Sequence, residues 1–204
     1  MLVELIYSLL RDDVNVIIID TGFPNSTAFH DKVTVIKDHN EPKNISRWWN
    51  LGLDEVHRVQ QWIDTDYVVA ILNDDLVIPP NFVETLAVAI VKNSAAAAYP
   101  DQHDFAAGQQ IVMRSPGPIN LFARMCGYAF ALRGSANLKA DETLAWWYGD
   151  DDLDWRARQA GGNVLVGGLK VQHLRPNEST VGELAEQAGR DRQTFINKWG
   201  QAPW

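Results

Sequence analysis

Residues 67–75 read Tyr-Val-Val-Ala-Ile-Leu-Asn-Asp-Asp, an apolar run that ends in three polar residues. The run from Tyr67 to Leu72 has the length and the β-branched content of a buried strand. Carboxylates at the end of such a strand do little for stability, but they are well placed to hold a divalent cation or to take up a proton. A second acidic cluster, Asp150-Asp151-Asp152, opens an Arg-rich helical stretch. Together the two clusters predict an enzyme.

Two further apolar runs precede this strand, and helical patterns alternate with the strands. Val14 to Ile19 and Val33 to Ile36 predict strands, whereas Asn44 to Ile63 has apolar residues at helical spacing. Pro79-Pro80-Asn81 marks the start of another helix. This β-α-β-α order predicts a mostly parallel sheet whose ligands bind beyond the carboxyl ends of the strands. The polar residues at those ends are Asp20, Asp38 and Asn73 to Asp75.

The second half of the chain is less regular. Residues 100–118 hold Gly, Ala, Gln, His and Pro without a period, which predicts a long loop that shapes an acceptor site or forms a lid. A helix is expected before Gly161-Gly162. The predicted elements of this half are a strand over Leu121 to Leu132, a helix over Leu153 to Ala160, strands over Asn163 to Val166 and Leu169 to Leu174, and one or two helices over Ser179 to Trp199.

Composition restricts the class of protein. A chain of 204 residues with 46% hydrophobic residues is long enough to bury a core, and one domain is expected. The net charge of −8 argues against a direct grip on a nucleic-acid backbone. The single cysteine, Cys126, excludes an internal disulfide and a zinc site built on cysteines. The opening apolar stripe is too short for a transmembrane helix and lacks signal-peptide features, so we expect a cytoplasmic protein.

Several short motifs follow one another along the chain. No single motif would be specific, but their order and spacing together make chance agreement unlikely. They are Asp20-Thr21-Gly22, Asn50-Leu51-Gly52, Leu72-Asn73-Asp74-Asp75, Gly127-Tyr128-Ala129-Phe130, Asp141-Glu142 and Gly149-Asp150-Asp151-Asp152. In this order the chain, over residues 1–175, resembles the inverting nucleotide-sugar glycosyltransferases of family 2. The resemblance implies an α/β GT-A fold, which is Rossmann-like, with helices on both sides of a mostly parallel central sheet. It further implies a hexosyltransferase-type enzyme.

The resemblance implies that Asp75 is a ligand of Mn²⁺ or Mg²⁺, which would bridge the two phosphates of the donor. One or two protein carboxylates suit a cation that keeps phosphates and water as its other ligands. The first position of the family's acidic motif is here Asn73, which still accepts a hydrogen bond. His173 matches a position that supplies a further metal ligand in several members. A histidine satisfied by a neighbour on an apolar strand is the alternative.

For the donor nucleotide, the resemblance implies contacts from the end of the first predicted strand, from the following helix and from the acidic motif. The alternative for Asp20 is a turn cap, and an exposed helix face explains Arg47 equally well. The residues implied are Asp20, Gly22, Arg47, Asn50, Asn73 and Asp74.

Asp150 matches the catalytic base of the family, which removes a proton from the acceptor hydroxyl. Adjacent carboxylates raise one another's proton affinity, as such a base requires. The family usually has Glu before this aspartate, whereas the chain has Gly149, so Asp151 remains an alternative base. An acidic helix N-terminus that complements the helix dipole is the structural alternative.

Aromatic residues near both clusters are candidates for acceptor binding. Trp146, Trp147 and Tyr128 offer flat rings to an acceptor sugar, although aromatic residues at this spacing also occur in cores. The partners implied are a nucleotide-diphospho-sugar donor and a hydroxyl-bearing acceptor, which is a glycan, a protein or a small molecule.

One departure from the family concerns its first strand. In the family a strand lies between the strands that are here Val14 to Ile19 and Tyr67 to Leu72, and no matching run is expected in this chain. The expected domain spans residues 1–175, with a nucleotide-binding half over 1–99 and an acceptor and catalytic half over 100–175. Residues 176–204 are expected to form a helical extension.

Two other classes of protein compete with a glycosyltransferase. A non-catalytic binding module would keep the fold with an incomplete donor pocket. A sugar-phosphate nucleotidyltransferase uses a similar sheet, but the Gly-rich basic loop that usually follows its first strand is not visible. The released product separates the three, because it is a nucleoside diphosphate for a glycosyltransferase, pyrophosphate for a nucleotidyltransferase and neither for a binding module.

Overall fold

The computed structural model describes residues 2–11, 13–22, 31–60, 66–175 and 182–204. The parts of the predicted helices that fall on residues 61–63 and 179–181 therefore lie outside the described residues. The helices are α1 (Leu2–Leu9), α2 (Ile45–Gln60), α3 (Phe82–Asn93), α4 (Gly149–Gln159) and α5 (Glu183–Trp199). The strands are β1 (Val16–Asp20), β2 (Val33–Lys37), β3 (Val68–Leu72), β4 (Leu76–Val77), β5 (Ala97–Pro100), β6 (Gln110–Met113), β7 (Ala129–Arg133), β8 (Asn163–Val166) and β9 (Gln172–His173).

A mixed five-stranded sheet in the order β3-β7-β5-β8-β6 forms the centre of the molecule. Only β5 and β8 run parallel, while β7 is antiparallel to both of its neighbours and β6 is antiparallel to β8. The α/β prediction is confirmed, but within this sheet parallel pairing is the minority. The reason is the irregular second half of the chain, in which long loops allow β6 and β7 to enter the sheet in the reverse direction.

The strands β1 and β2 form a separate parallel pair, with Val16 opposite Val33 and Asp20 opposite Lys37. Among the described residues, no ladder of hydrogen bonds joins β1 to β3. All five residues of β3 are only half-buried, as are the first four of β1. A cleft of about 1840 Å³ is lined by both strands. This interruption of the sheet coincides with the position at which the resemblance places the additional strand.

Helices cover the sheet on both faces. On one face α3 packs through Phe82, Leu86 and Ile90, which are at most 1% exposed and recur at a helical period. On the other face α2 and α4 pack through Trp49, Leu53, Leu153 and Ala157. Burial of a side chain the size of Leu or Phe stabilises a fold by about 1.5–3 kcal/mol, so these two faces supply the main stabilisation.

Several elements from residue 97 onward differ from the sequence-based expectation. The predicted loop over residues 100–118 contains the strand β6, and Leu121 to Leu132 divides into a 3₁₀ turn at Leu121–Ala123 and the strand β7. Asn120 caps that turn by accepting a hydrogen bond from the Phe122 N–H. The expected strand over Leu169 to Leu174 is ordered only as β9. The strand β5 was not predicted, because its alanines show no strand periodicity and alanine is a strong helix former.

The last helix, α5, packs against α4 through an aromatic cluster. Phe195 is fully buried and makes edge contacts with Trp155, while Trp155 contacts Trp199 in the same way. The Trp199 indole N–H donates to Asp152, which is fully buried in α4. In the part of the chain that the structure describes, no helix combines the length and apolar character of a membrane span.

Candidate active site

The acidic end of β3 lies in a turn that leads directly into β4. The Asn73 N–H donates to the Tyr128 carbonyl (2.9 Å), which fixes the turn to the segment that precedes β7. Asp74 points to solvent, whereas Asp75 is only 5% exposed. The Asp75 carboxylate therefore points inward, whereas the Asp74 carboxylate lies at the edge of the cleft.

His173 lies beside Asp75 because β9 pairs with β4 in the antiparallel sense, with His173 opposite Leu76. The Leu174 N–H donates to the Asp75 carbonyl (2.9 Å), and the His173 Nε2 is 3.1 Å from the Asp75 Oδ1. That Oδ1 is buried and accepts no hydrogen bond from the described residues. The imidazole also stacks on the Tyr128 ring, with 5.0 Å between centroids. The sequence-predicted pair of metal ligands, Asp75 and His173, is thus brought together.

A buried oxygen that accepts no hydrogen bond is costly unless another group satisfies it, and both the His173 ring nitrogen, 3.1 Å away, and a cation are such groups. Within the described ranges, no cluster of three or more His, Cys, Asp or Glu residues has metal-binding geometry. Two protein ligands, Asp75 and His173, nevertheless fit a Mn²⁺ or Mg²⁺ that takes its other ligands from phosphates and water.

The three carboxylates at the start of α4 have different surroundings. Asp150 is the more accessible of the first two, with 14% of its side chain exposed, and its Oδ2 accepts hydrogen bonds from the Gly127 N–H (2.9 Å) and from Arg124 (3.1 Å). Asp151 is buried and receives two hydrogen bonds from Arg124 (2.8 and 3.2 Å). Burial raises the pKa of Asp151 well above its usual value, and the Asp150 charge adds to the effect.

Asp152 has a structural role. Its side chain is fully buried, with Arg156, Lys198 and the Trp199 indole N–H each 2.8 Å from one of its oxygens. These contacts tie α4 to α5. The third carboxylate of the triplet is therefore engaged in packing, whereas Asp150 keeps part of its side chain exposed.

Local packing explains the glycine at position 149, where the resemblance implies an acidic residue. A Cβ added at Gly149 would lie 2.7 Å from the Ser46 Oγ. That hydroxyl donates to the Leu144 carbonyl (2.6 Å) and is buried, so it has little room to move. A side chain at position 149 would displace α2 or the start of α4.

Arg124 is a site residue that sequence reasoning missed. It lies in the irregular segment before β7, where no local motif marks it, and it touches the acidic cluster only through the fold. Its guanidinium bridges Asp150 and Asp151, and the two carboxylates raise its pKa despite the opposing effect of burial. The one available signal was its position three residues before the Gly127-Tyr128 motif.

The residues expected at the donor nucleotide divide into two groups. Asp20, Gly22, Asn73 and Asp74 line the cleft between β1 and β3. Asp20 also caps its own turn, because its Oδ1 accepts the Gly22 N–H (3.0 Å) in a turn where Gly22 has φ +127°. The cleft thus collects polar groups at the carboxyl ends of two strands.

Arg47 and Asn50 are engaged elsewhere. Arg47 pairs with Asp38 (2.9 Å) and donates to two loop carbonyls, and this pairing helps to lower the pKa of Asp38 against the effect of burial. Asn50 exchanges hydrogen bonds with the backbone of Ala140 (2.8 and 3.0 Å). Neither residue lines the cleft. Both side chains instead hold the loops that surround it.

The three aromatic acceptor candidates also occupy different places. Trp146 lines the cleft and meets Trp48 edge-on, with 5.9 Å between centroids. Trp147 packs against the aromatic cluster of α4 and α5, which agrees with the core alternative. Tyr128 stacks on His173. The backbone of the Trp146-Trp147 segment is held by Asp191 of α5, which accepts both N–H groups (2.8 Å each).

The segment Gly127-Tyr128 links the two acidic clusters. Tyr128 accepts the Asn73 N–H, and the adjacent Gly127 N–H donates to Asp150. A Cβ at Gly127 would meet the Trp49 ring at 3.1 Å and Asp150 at 3.4 Å, so a glycine allows this close approach. The candidate metal ligands and the candidate base therefore lie on either side of one short turn.

No protein-family model matches the sequence, and no curated protein matches it. Among solved structures, the chain is similar to one described as the crystal structure of GalNAc-T7 with UDP, GalNAc and Mn²⁺. The TM-score is 0.56 and the sequence identity 13%, over 91% of this chain and 43% of that one. The chain thus spans less than half the length of this neighbour. At this level of identity the likeness concerns the fold, and the chain has a GT-A-like α/β fold with a mixed central sheet.

Proposed function

We propose that this protein is a metal-dependent, inverting glycosyltransferase that moves a sugar from a nucleotide-diphosphate donor to an acceptor hydroxyl. The observation that carries the proposal is the turn Gly127-Tyr128, which holds the Asn73 to Asp75 cluster and Asp150 on its two sides. Such an arrangement provides a cation site and a proton acceptor within one site, as sugar transfer requires. The GT-A-like fold and the ligands named for the structural neighbour support the same class.

Asp75 and His173 would hold the cation. The unsatisfied Asp75 Oδ1 and the adjacent His173 Nε2 form an open pair of ligands, with Asn73 and Asp74 nearby on the cleft. When bound, Mn²⁺ or Mg²⁺ supplies charge that binds and stabilises the leaving diphosphate. Tyr128 supports the arrangement by stacking on the His173 ring and so fixing its orientation.

Asp150 is the better candidate for the base, and the role of Asp151 is to position Arg124. Asp151 is buried and paired by two hydrogen bonds, whereas Asp150 keeps an exposed portion of its carboxylate. In the proposed step the acceptor oxygen attacks the anomeric carbon and its proton passes to Asp150, while the bond between that carbon and the diphosphate oxygen breaks. Attack from the side opposite the leaving group inverts the configuration.

A non-catalytic binding module is the second candidate, and the interrupted sheet favours it. The cleft between β1 and β3 lacks a hydrogen-bonded strand among the described residues, and its walls carry most of the polar groups assigned to the donor. A donor held in such a cleft has fewer fixed contacts, so binding without turnover is the expected behaviour of this alternative. Release of a nucleoside diphosphate in an assay with a panel of nucleotide sugars decides between the two.

The first test of the donor site is calorimetric titration of UDP and GDP into the purified chain, with and without Mn²⁺. We expect one nucleotide to bind only when Mn²⁺ is present. We expect Asp75→Ala to abolish this metal-dependent binding. Asp54→Ala is the matched control, since it removes a carboxylate whose side chain is 56% exposed and which pairs with Lys139. Equal binding of both nucleotides by the parent and Asp75→Ala, with or without Mn²⁺, would reject the metal site.

A further inference from the structure

The segment after α5 returns to the candidate catalytic carboxylates. Helix α5 ends at Trp199, and Gly200 turns the chain with φ +76°. Pro203 is then buried, while Trp204 is 41% exposed. The Trp204 indole stacks on Tyr148, with 5.2 Å between centroids and 16° between planes, and the Arg124 Cζ lies 4.3 Å from its ring centre.

Both residues that contact this indole belong to the surroundings of Asp150. Arg124 donates to Asp150 and Asp151, and Tyr148 immediately precedes the helix that carries them. A flat aromatic ring, a planar guanidinium and carboxylates are the groups that suit a saccharide, since its ring faces stack on aromatic rings and its hydroxyls bond charged groups. Trp204 therefore occupies a place with the chemistry of a sugar site.

We propose that the space filled by the Trp204 indole against Tyr148 and Arg124 is the acceptor subsite, that it takes a saccharide ring, and that the indole leaves it when the acceptor binds. The inference rests on the proposed function, because it assigns the acceptor of that reaction. It moves the acceptor contacts from Trp146, Trp147 and Tyr128 to Tyr148 and Arg124, beside Asp150.

The Trp204 indole is held by few contacts, as expected of a ring that the acceptor displaces. Within the part of the chain that the structure describes, the indole makes no hydrogen bond, and its ring contacts are those with Tyr148 and Arg124. Trp199 differs, since its N–H donates to buried Asp152 and its ring packs in the aromatic cluster. The buried Pro203 fixes the segment, so that a rotation confined to Trp204 opens the subsite without unfolding α5.

Fluorine NMR of the full chain labelled with 5-fluorotryptophan tests the proposal directly. The chain has eight tryptophans, and Trp204→Phe identifies the Trp204 resonance by its loss. The probes are the methyl glycosides of galactose, glucose and N-acetylgalactosamine, titrated with and without UDP and Mn²⁺. We expect at least one of them to move the Trp204 resonance toward that of free 5-fluorotryptophan while the Trp199 resonance stays in place. A Trp204 resonance that none of the three moves would overturn the proposal.

Trp204→Ala shows whether the Trp204 indole competes with the saccharide for the subsite or forms part of the surface that binds it. If the indole competes with the sugar, its removal lowers the half-saturating concentration of the active glycoside by about tenfold, the factor that one or two such ring contacts allow. Weaker binding in Trp204→Ala would make the indole part of the binding surface and overturn displacement. Calorimetry with UDP, GDP and Mn²⁺ separates the proposals: a moving Trp204 resonance without metal-dependent nucleotide binding would reject the donor site and leave the saccharide subsite standing.

Discussion

At the scale of single residues, the proton acceptor is the first choice to test. Asp150→Asn removes the basic oxygen while keeping the shape that accepts the Gly127 and Arg124 hydrogen bonds. We expect the rate of nucleoside diphosphate release in the presence of acceptor to fall by about 10²- to 10⁴-fold. Metal-dependent nucleotide binding should stay at the parent level, as calorimetry would show.

Asp151→Asn is the matched comparison for that variant. It changes the neighbouring carboxylate, which is buried and paired with Arg124 rather than open to an acceptor. We expect a smaller loss of turnover than in Asp150→Asn. If Asp150→Asn kept the parent rate and Asp151→Asn lost it, the base would be Asp151.

Gly149 gives a stability prediction at the same scale. Gly149→Ala places a Cβ against the Ser46 Oγ, and overpacking of this kind costs about 1–3 kcal/mol of unfolding free energy. Urea unfolding should show this loss, and Ser46→Ala should recover part of it in the double variant, because contacting residues are not additive. If the losses of unfolding free energy in the two single variants simply added in the double variant, the clash at Gly149→Ala would not involve the Ser46 hydroxyl.

At the scale of elements, α5 stabilises the loop before α4 through an ion pair. Burial opposes the charge of Asp141, but Lys198 and Thr143 outweigh it and lower the pKa of this carboxyl to about 2. A carboxyl whose pKa is lower in the folded state than in the unfolded state stabilises the fold at pH values above its unfolded-state pKa, which is near 3.8. This stabilisation is lost as the pH falls toward 2. Asp141→Asn should therefore lower the unfolding free energy by about 1–2 kcal/mol at pH 7, after allowance for its partial exposure.

The pH dependence supplies the check on that variant. Thermal unfolding of the parent and Asp141→Asn should converge between pH 4 and pH 2, where the parent carboxyl takes up its proton. Lys198→Met is a companion variant, since it removes the partner that donates to Asp141. A difference between the parent and Asp141→Asn that stays constant down to pH 2 would assign the effect to packing rather than to the ion pair.

The elements also show how far sequence reasoning reaches. The strand β3 was predicted from a continuous apolar run with a polar boundary, and it is confirmed to within one residue. The helix α3 was predicted from its Pro-containing start and its helical spacing, and it begins directly after Asn81. The strand β5 was missed because Ala95 to Ala98 lacks a period. The contact of Asp75 with His173 rested on resemblance alone, and the bridge from Arg124 to Asp150 had no local signal, since only the fold brings residues so distant in sequence together.

At the scale of the whole molecule, the strands fall into two groups with different burial. Residues of β5 and β8 are fully buried, whereas β1 and β3 on the walls of the cleft are mostly half-buried. Local opening costs less free energy where fewer apolar contacts are lost. We expect backbone amides of β1 and β2 to exchange hydrogen for deuterium before those of β5, β7 and β8, as peptide-level mass spectrometry would measure.

Ligand binding should change this order if the cleft is the donor site. A nucleotide that spans Asp20 on β1 and the Asn73 to Asp75 turn after β3 joins the β1-β2 pair to the five-stranded sheet. A ligand at about 100 times its dissociation constant stabilises the state it binds by about 2.7 kcal/mol. With Mn²⁺ and the nucleotide that binds, exchange in β1 and β3 should slow while exchange in β5 and β8, already the slowest, changes little. The same experiment on Asp75→Ala should show no protection, because this variant lacks a ligand proposed for the cation. Protection confined to α4 and α5, with β1 and β3 unaffected, would place the nucleotide outside the cleft and contradict a donor site at the ends of these strands.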